Sequence, residues 1–289
     1  MKVAVCMFGI TGGFTGPGGE GKQLDPINSF KNYSETIFKD YDIDFFLHSW
    51  SLDFKESLIE IYKPKNYLFE EQKDFSFAKI SNHSLDHINT YRKLFLDQED
   101  VRGYLQKYIF NAYSRWYSTS KSIKLMQDFS ETNKVSYDWV LQLRFDLFFR
   151  EKIKFEEIDP KKFYCPPRFE IDKDITINDT WLLSSYENAV KFSSIYDNLE
   201  NYSIWTHASS RQHLERLGIE FCEYPDPSMG KKNYWPMRTV LQNIEKNNEN
   251  KKFLKRINRS LLFRVRSFFQ ILGNLIKKVE SKISSYLDY

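Results

Sequence analysis

Cysteine is scarce and scattered. The chain has three, Cys6, Cys165 and Cys222, with no C-x-x-C spacing. That excludes a disulfide framework and a cysteine-built zinc site. The apolar neighbours of Cys6 and Cys222 suggest buried thiols in a reducing compartment. Long uncharged apolar runs are missing too. No stretch approaches the ~18 residues that a membrane span requires. The amino-terminal run Val3-Ala4-Val5-Cys6-Met7-Phe8 is short and leads into a glycine-rich turn, so it reads as a strand and not as a signal peptide. A cytoplasmic chain is expected. The body also lacks any basic patch interleaved with aromatics, which argues against nucleic acid as a partner.

What is present is a chain of 289 residues, 41% hydrophobic and 17% aromatic. That is enough for one large α/β domain, or a domain with an appendage. The formal net charge of +3 is unevenly spread. Residues 251–289 hold ten Lys or Arg against Glu280 and Asp288, a local +8, which leaves −5 on residues 1–250. A mildly acidic body thus bears a basic tail. In that tail Leu254, Ile257, Leu261, Val265, Phe268, Leu272, Leu275, Val279 and Ile283 recur at steps of three and four. A basic amphipathic helix of this kind fits an anionic membrane surface. It also fits a helix packed on the body or on a partner chain.

Glycine is concentrated in one place. Seven of the eleven glycines fall between Gly9 and Gly21, directly after the first strand. A strand, a glycine-rich loop and then a helix is an arrangement that presents backbone N–H groups to phosphate. The segment matches neither the P-loop pattern nor G-x-G-x-x-G. Gly9–Gly13 is expected near a ligand and Gly16–Gly21 as a flexible flap, or the whole as a mobile surface loop.

The stretch around which the chain is organised is Trp139-Val140-Leu141-Gln142-Leu143, an apolar run that delivers Arg144 and Asp146. Residues two apart on a strand point the same way. Unpaired charge at the end of a buried strand is costly, by several kcal/mol, and ligands of open α/β sheets sit beyond the carboxyl ends of the strands. Arg144 and Asp146 are therefore the centre of a candidate site; an internal ion pair or two solvated residues is the alternative.

The rest of the chain supplies the frame. Asp25-Pro26 opens a helix through Phe38. Ile43–Trp50 is a strand that brings His48 to its end. Ile59–Tyr62 and Tyr67–Glu70 read as a turn and a short strand. His83 and His87, four apart, lack a third metal ligand and read as a solvated helix face. Val101 to about Met126 is a long amphipathic helix. Phe163–Pro167 is a strand, Asn178-Asp179 precedes an apolar strand, and a helix covers Tyr186–Leu199. Thr206 can cap a helix that runs to Leu217 and stops at Gly218. Ile219–Tyr224 is a late strand, and a loop carrying Lys231 and Lys232 follows. The order β-loop-α-β-α-β implies a mainly parallel sheet covered by helices.

Taken in order, Lys2-Val3-Ala4-Val5-Cys6 with its glycine turn, Asp44-Phe45-Phe46-Leu47-His48-Ser49-Trp50, Tyr137–Val140 through Arg144-Phe145-Asp146-Leu147, and Asn178-Asp179 resemble a loosely defined group of bacterial and viral surface-polysaccharide proteins similar to glycosyltransferases of the GT-A type. The resemblance covers roughly residues 1–225. It implies a Rossmann-like GT-A domain over residues 1–250, to which 251–289 adds a C-terminal amphipathic helix. It implies transfer of a sugar from a nucleotide-sugar donor to a glycan or glycolipid acceptor of lipopolysaccharide or capsule; the basic tail, which lies outside the resemblance, would keep the enzyme on the cytoplasmic face of the inner membrane.

Gly9, Ile10, Thr11, Gly12, Gly13, Arg144, Asp146 and Asn178 would then bind the donor. Asp179 would be the base, with His48 second. Such enzymes usually carry D-x-D where this chain has Arg144-Phe145-Asp146. Asp146 can hold Mg²⁺ or Mn²⁺, or Arg144 can itself neutralise the diphosphate. A phospho- or phosphoramidate-type transferase of surface glycans and a non-catalytic membrane-associated scaffold are the alternative readings.

Overall fold

The two most apolar strands of the sequence lie side by side at the centre. β1 (Lys2–Gly9) runs parallel to β2 (Asp42–Ser49) on one side and to β4 (Trp139–Arg144) on the other. β3 (Asn66–Phe69) extends the sheet beyond β2, again in parallel. Beyond β4 come β7 (Leu182–Ser184), β6 (Phe163–Cys165) and β8 (Phe221–Glu223), giving seven strands in the order β3-β2-β1-β4-β7-β6-β8. β7 is antiparallel to both its neighbours, so the sheet is mostly parallel and mixed. A separate two-stranded sheet joins β5 (Leu147–Phe149) to β9 (Tyr234–Pro236). The structure, a computed structural model, describes residues 1–13, 22–78, 101–167, 175–224 and 234–246. Met1–Arg238 forms one compact unit and Thr239–Tyr289 another, and both sheets belong to the first.

Alternation along the central strands builds two apolar layers. Val3, Val5 and Met7 share one core with Trp139, Leu141 and Leu143. Its cover is Tyr33 of α1 (Ile27–Tyr33), Ile37 of the π-helical turn Ser34–Phe38, and Leu58 and Tyr62 of α2 (Lys55–Tyr62). Ala4, Cys6 and Val140 face the other way, against Ile123 and Met126 of α3 (Val101–Asn133), a helix of 33 residues. Farther along the same helix, Ile109, Ala112 and Trp116 pack with Phe163, Leu182 and Phe192. Each large side chain enclosed in this way contributes roughly 1.5–3 kcal/mol. Small buried polar residues, Ser118, Thr119 and Ser122, lie on the helix between the apolar ones.

Several expectations need correction. Ile59–Tyr62 is not a turn but the end of α2, closed by Lys63 in the left-handed conformation. The helix expected over Tyr186–Leu199 is α-helical only to Phe192, as α4 (Tyr186–Phe192), and continues as a 3₁₀ helix over Ser193–Asn201. Thr206 is the first residue of α5 (Thr206–Leu217), which starts after Trp205 without a side-chain cap, while Gly218 ends it at φ +64° as expected. The Gly16–Gly21 flap, His83 and His87, Lys231 and Lys232, and the amphipathic tail lie outside the described residues. No helix among the described residues is long and apolar enough to cross a membrane.

Candidate functional site

The sheet reverses its direction of growth between β1 and β4. From β1 the chain adds β2 and then β3 on one side, and afterwards places β4 on the other. Loops leaving the carboxyl ends of two such strands diverge and open a crevice, the usual ligand position in open α/β sheets. The glycine loop leaves β1 at this point, and Arg144 ends β4 directly opposite Phe8 of β1.

Arg144 and Asp146 meet in a two-pronged ion pair. Arg144 Nε donates to Asp146 Oδ1 at 2.7 Å and the terminal guanidinium nitrogen to Oδ2 at 2.6 Å. The Asp146 side chain is only 4% exposed, but that of Arg144 is 30% exposed, so the pair is not sealed from solvent. Burial pulls the guanidinium down in pKa; Asp146 outweighs this, with help from Asp179 and Tyr33, and holds it above its ordinary value. The Tyr33 hydroxyl secures the turn: it accepts the Leu147 N–H at 2.7 Å and donates to the Arg144 carbonyl at 2.8 Å. The Asp146 carbonyl accepts the Met237 N–H at 2.7 Å, so the chain segment that follows β9 is tied to this turn as well.

The glycine loop rests on Asp146. Gly12 has φ +92°, and a Cβ placed on it would lie 2.6 Å from Asp146 Cβ. Only glycine permits both that conformation and that approach. The loop is otherwise anchored inward. The Gly9 N–H donates to Ser118 Oγ at 2.7 Å and the Thr11 N–H to Ser51 Oγ at 3.0 Å. The Gly9 carbonyl accepts from the Ser49 hydroxyl and the Trp50 N–H. Thr11 is buried and its hydroxyl bonds Gln23, Ile10 packs among apolar side chains that include Trp50 and Tyr117, and Gly13 bridges to Gln23. The amides of Gly9 and Thr11 are thus engaged with serine hydroxyls and do not point at a ligand.

His48 is enclosed beside that anchor. Its Nε2 lies 2.9 Å from Glu70 Oε1 and its Nδ1 2.7 Å from Ser118 Oγ. A carboxylate only accepts, so the ring proton sits on Nε2, and Nδ1 accepts from the Ser118 hydroxyl. Burial holds His48 below its ordinary pKa despite Glu70. The series Glu70, His48, Ser118 resembles a hydrolase triad in bonding, but Ser118 is completely buried and serves the Gly9 amide.

Asp179 lies just before β7, the strand paired with β4. Its Oδ1 lies 2.5 Å from His207 Nδ1, in the first turn of α5. Burial raises the Asp179 carboxyl, but His207, Arg115 and the Thr206 hydroxyl together bring it well below the usual carboxylate range. Burial lowers His207, and Asp179 more than compensates, leaving the imidazole above its ordinary value. A carboxylate so well satisfied is a weak proton acceptor, whereas the imidazole it holds is a stronger one. Asn178 is occupied locally: its side-chain oxygen accepts from the Thr180 N–H and hydroxyl, and its amide donates to the Pro167 carbonyl.

Two residues of this cluster were not legible in the sequence. His207 carried no spacing that pointed to Asp179. Arg115 reads as one more polar residue on an amphipathic helix. In the structure it turns inward, lays its guanidinium over the Phe8 ring at 3.6 Å, donates to the Asp179 carbonyl at 2.9 Å and also bonds Thr119.

Both Asp146 oxygens accept from Arg144, Asp179 is bonded to His207, and no group of three or more His, Cys, Asp or Glu side chains among the described residues is placed to hold a metal. No protein-family model matches the sequence, and no curated protein matches it.

Proposed function

We propose that this chain is a nucleotide-sugar-dependent glycosyltransferase of GT-A type that acts on a lipopolysaccharide or capsular acceptor. The observation that carries the reading is the position of the Arg144–Asp146 pair. It lies where the sheet reverses, with the Arg144 side chain partly exposed and the Gly12 backbone against the carboxylate. Charge that builds on a leaving diphosphate would meet a guanidinium already fixed in orientation, which is electrostatic preorganisation. Asp146 then acts as the brace that aims Arg144.

The acceptor hydroxyl loses its proton to His207, steered by Asp179. This assigns Asp179 an orienting role beside the imidazole. His48, enclosed and bonded through both nitrogens, takes no part. The basic tail, 251–289, would keep the enzyme beside a lipid-linked acceptor at the cytoplasmic face of the inner membrane. Sedimentation with anionic but not with neutral vesicles, lost on removal of the tail, tests that element.

The central test is a thermal-shift screen of UDP-, GDP-, CMP- and dTDP-sugars, since a ligand stabilises by RT ln(1 + [L]/Kd). It is followed by release of the nucleoside phosphate in the presence of acceptor glycans. One donor class should raise the melting temperature, and Arg144→Gln should abolish both the shift and the release. A folded protein indifferent to every donor sinks the reading. Turnover that survives Arg144→Gln removes this crevice from it.

A further inference from the structure

We propose that Arg115 and Arg144 form a paired-guanidinium subsite for the pyrophosphate group of a nucleoside diphosphate, one that binds without a divalent cation. The proposal rests on the donor-binding reading of the crevice and adds to it the residue, the ligand group and the independence from metal.

The geometry begins with the sheet. Phe8 and Arg144 are Cα partners on adjacent parallel strands, so their side chains share one face. Adjacent strands lie about 4.8 Å apart. Arg115 descends from α3 onto the Phe8 ring, with its guanidinium carbon 3.6 Å from the ring centroid. It is thereby placed next to Arg144 on that face. The like charges are close enough to oppose each other: burial, together with the Arg144 charge, pushes Arg115 down to about 9, and only Asp179 works against this.

The two guanidinium groups are not equally partnered. Arg144 grips Asp146 directly, whereas the Asp179 carboxylate is hydrogen-bonded to His207 and not to a guanidinium. Among the described residues no carboxylate lies within ion-pair distance of Arg115; it receives only the Asp179 backbone carbonyl, the Thr119 hydroxyl and two aromatic rings, those of Phe8 and Trp116. Arg115, of intermediate exposure and repelled by a second guanidinium, gives its hydrogen bonds to neutral acceptors, and the charge of Asp179, which is bonded to His207, is what works against that repulsion. Such an arrangement is stabilised by an anion that touches both cations.

Arg144 gives two of its N–H groups to Asp146, and the rest of its five-donor fork remains for another acceptor. Arg115 brings a second fork. Paired forks match a group with oxygens on two linked phosphorus atoms, because each guanidinium can take a phosphate in bidentate fashion. A metal on Asp146, in contrast, would have to share the carboxylate with Arg144, which already bonds both oxygens. Serine hydroxyls occupy the Gly9 and Thr11 amides, so the guanidinium pair, not these two backbone groups, is the source of positive charge.

The experiment is isothermal titration of the full-length protein with UDP, GDP and inorganic pyrophosphate. Each is run in EDTA and again with Mg²⁺ or Mn²⁺. Wild type, Arg115→Gln and Arg115→Lys are compared, with far-UV circular dichroism and melting temperature confirming that the variants fold. At least one nucleoside diphosphate and pyrophosphate should bind in EDTA. Arg115→Gln should weaken both by about tenfold or more, as for loss of a charge-assisted hydrogen bond. Arg115→Lys should recover part of that loss. A purely structural Arg115 would shift the melting temperature and leave the affinity alone.

Binding that requires a divalent ion, binding indifferent to Arg115→Gln, or no binding of any probe by folded wild type overturns the proposal. Its fate separates from that of the enzyme reading. Metal-free, Arg115-dependent binding of pyrophosphate without any sugar transfer keeps this subsite and discards the glycosyltransferase. Sugar transfer that demands Mn²⁺ and ignores Arg115→Gln does the reverse.

Discussion

Gly12→Ala is the sharpest single probe of how the crevice is built. The substitution has two separable costs. Gly12 has φ +92°, where an L side chain is disfavoured by about 1–2 kcal/mol. The new methyl would also lie 2.6 Å from Asp146 Cβ, 2.9 Å from Oδ2 and 3.1 Å from Cγ. Carbon atoms in contact sit about 3.5–4.0 Å apart, so the overlap is roughly 1 Å. Asp146 cannot swing aside cheaply, because Arg144 holds both its oxygens and its Cβ is fixed to the backbone. Overpacking of this kind costs about 1–3 kcal/mol.

The sum, on the order of 2–5 kcal/mol, is either lost from stability or relieved by lifting the loop off Asp146. Gly9→Ala is the matched control: φ is +91°, but nothing lies within 4 Å of the added methyl. It should show the conformational cost alone. Urea titrations of wild type and the two variants measure the difference, and an Asp146→Gly background removes the three clashing atoms. Gly12→Ala should cost clearly more than Gly9→Ala in the native background and about the same in Asp146→Gly. Equal costs in the native background would refute the contact between loop and carboxylate.

Three further outcomes are expected. Tyr33→Phe leaves the Leu147 N–H and the Arg144 carbonyl without their shared hydroxyl, and should cost about 1–3 kcal/mol in urea titration while loosening the Arg144 turn in amide exchange; unchanged protection of Leu147 would contradict this. Asp179→Asn removes the charge that raises His207, so the acid limb of the rate profile should move to lower pH as kcat falls on the order of a hundredfold; an acid limb that stays in place removes His207 as the base. His213, buried against Tyr202 and Ser194, is pulled down to about 4 by burial. Its folded value lies below its unfolded one, so the stability it contributes is complete above about pH 6.5 and lost as the pH falls toward 4. The loss should approach about 3 kcal/mol by the usual conversion, and thermal melts of His213→Gln should lack that part of the slope.

Much of the frame was readable from one dimension because it follows from local periodicity. Continuous apolar runs mark β1 and β4, since both faces of those strands are covered. Steps of three and four mark α3, and Gly218 marks the end of α5. The short strands β6, β7 and β8 have three residues each, too few for alternation to announce direction. That β7 runs antiparallel between β4 and β6 depends on its neighbours alone. Likewise, Tyr234–Pro236 gives no sign that it will pair with Leu147–Phe149, because partners so remote along the chain are chosen by the packed sheet.

For the crevice the division is similar. That a strand would end in Arg144 and Asp146, and that glycines would follow β1, could be read along the chain, because strand alternation and backbone freedom are local properties. Folding in three dimensions was needed to make the two charges grip each other, to lay Gly12 on the carboxylate, to close His48 off with Ser118 and to bring Asp179 to His207. The last three are distances between residues remote in sequence, and the first depends on what burial leaves for the charges to meet. Arg115 is the clearest case. A charged residue on an amphipathic helix is expected in water, yet it lies against Phe8 because Asp179 and Thr119 receive its hydrogen bonds where the sheet changes direction.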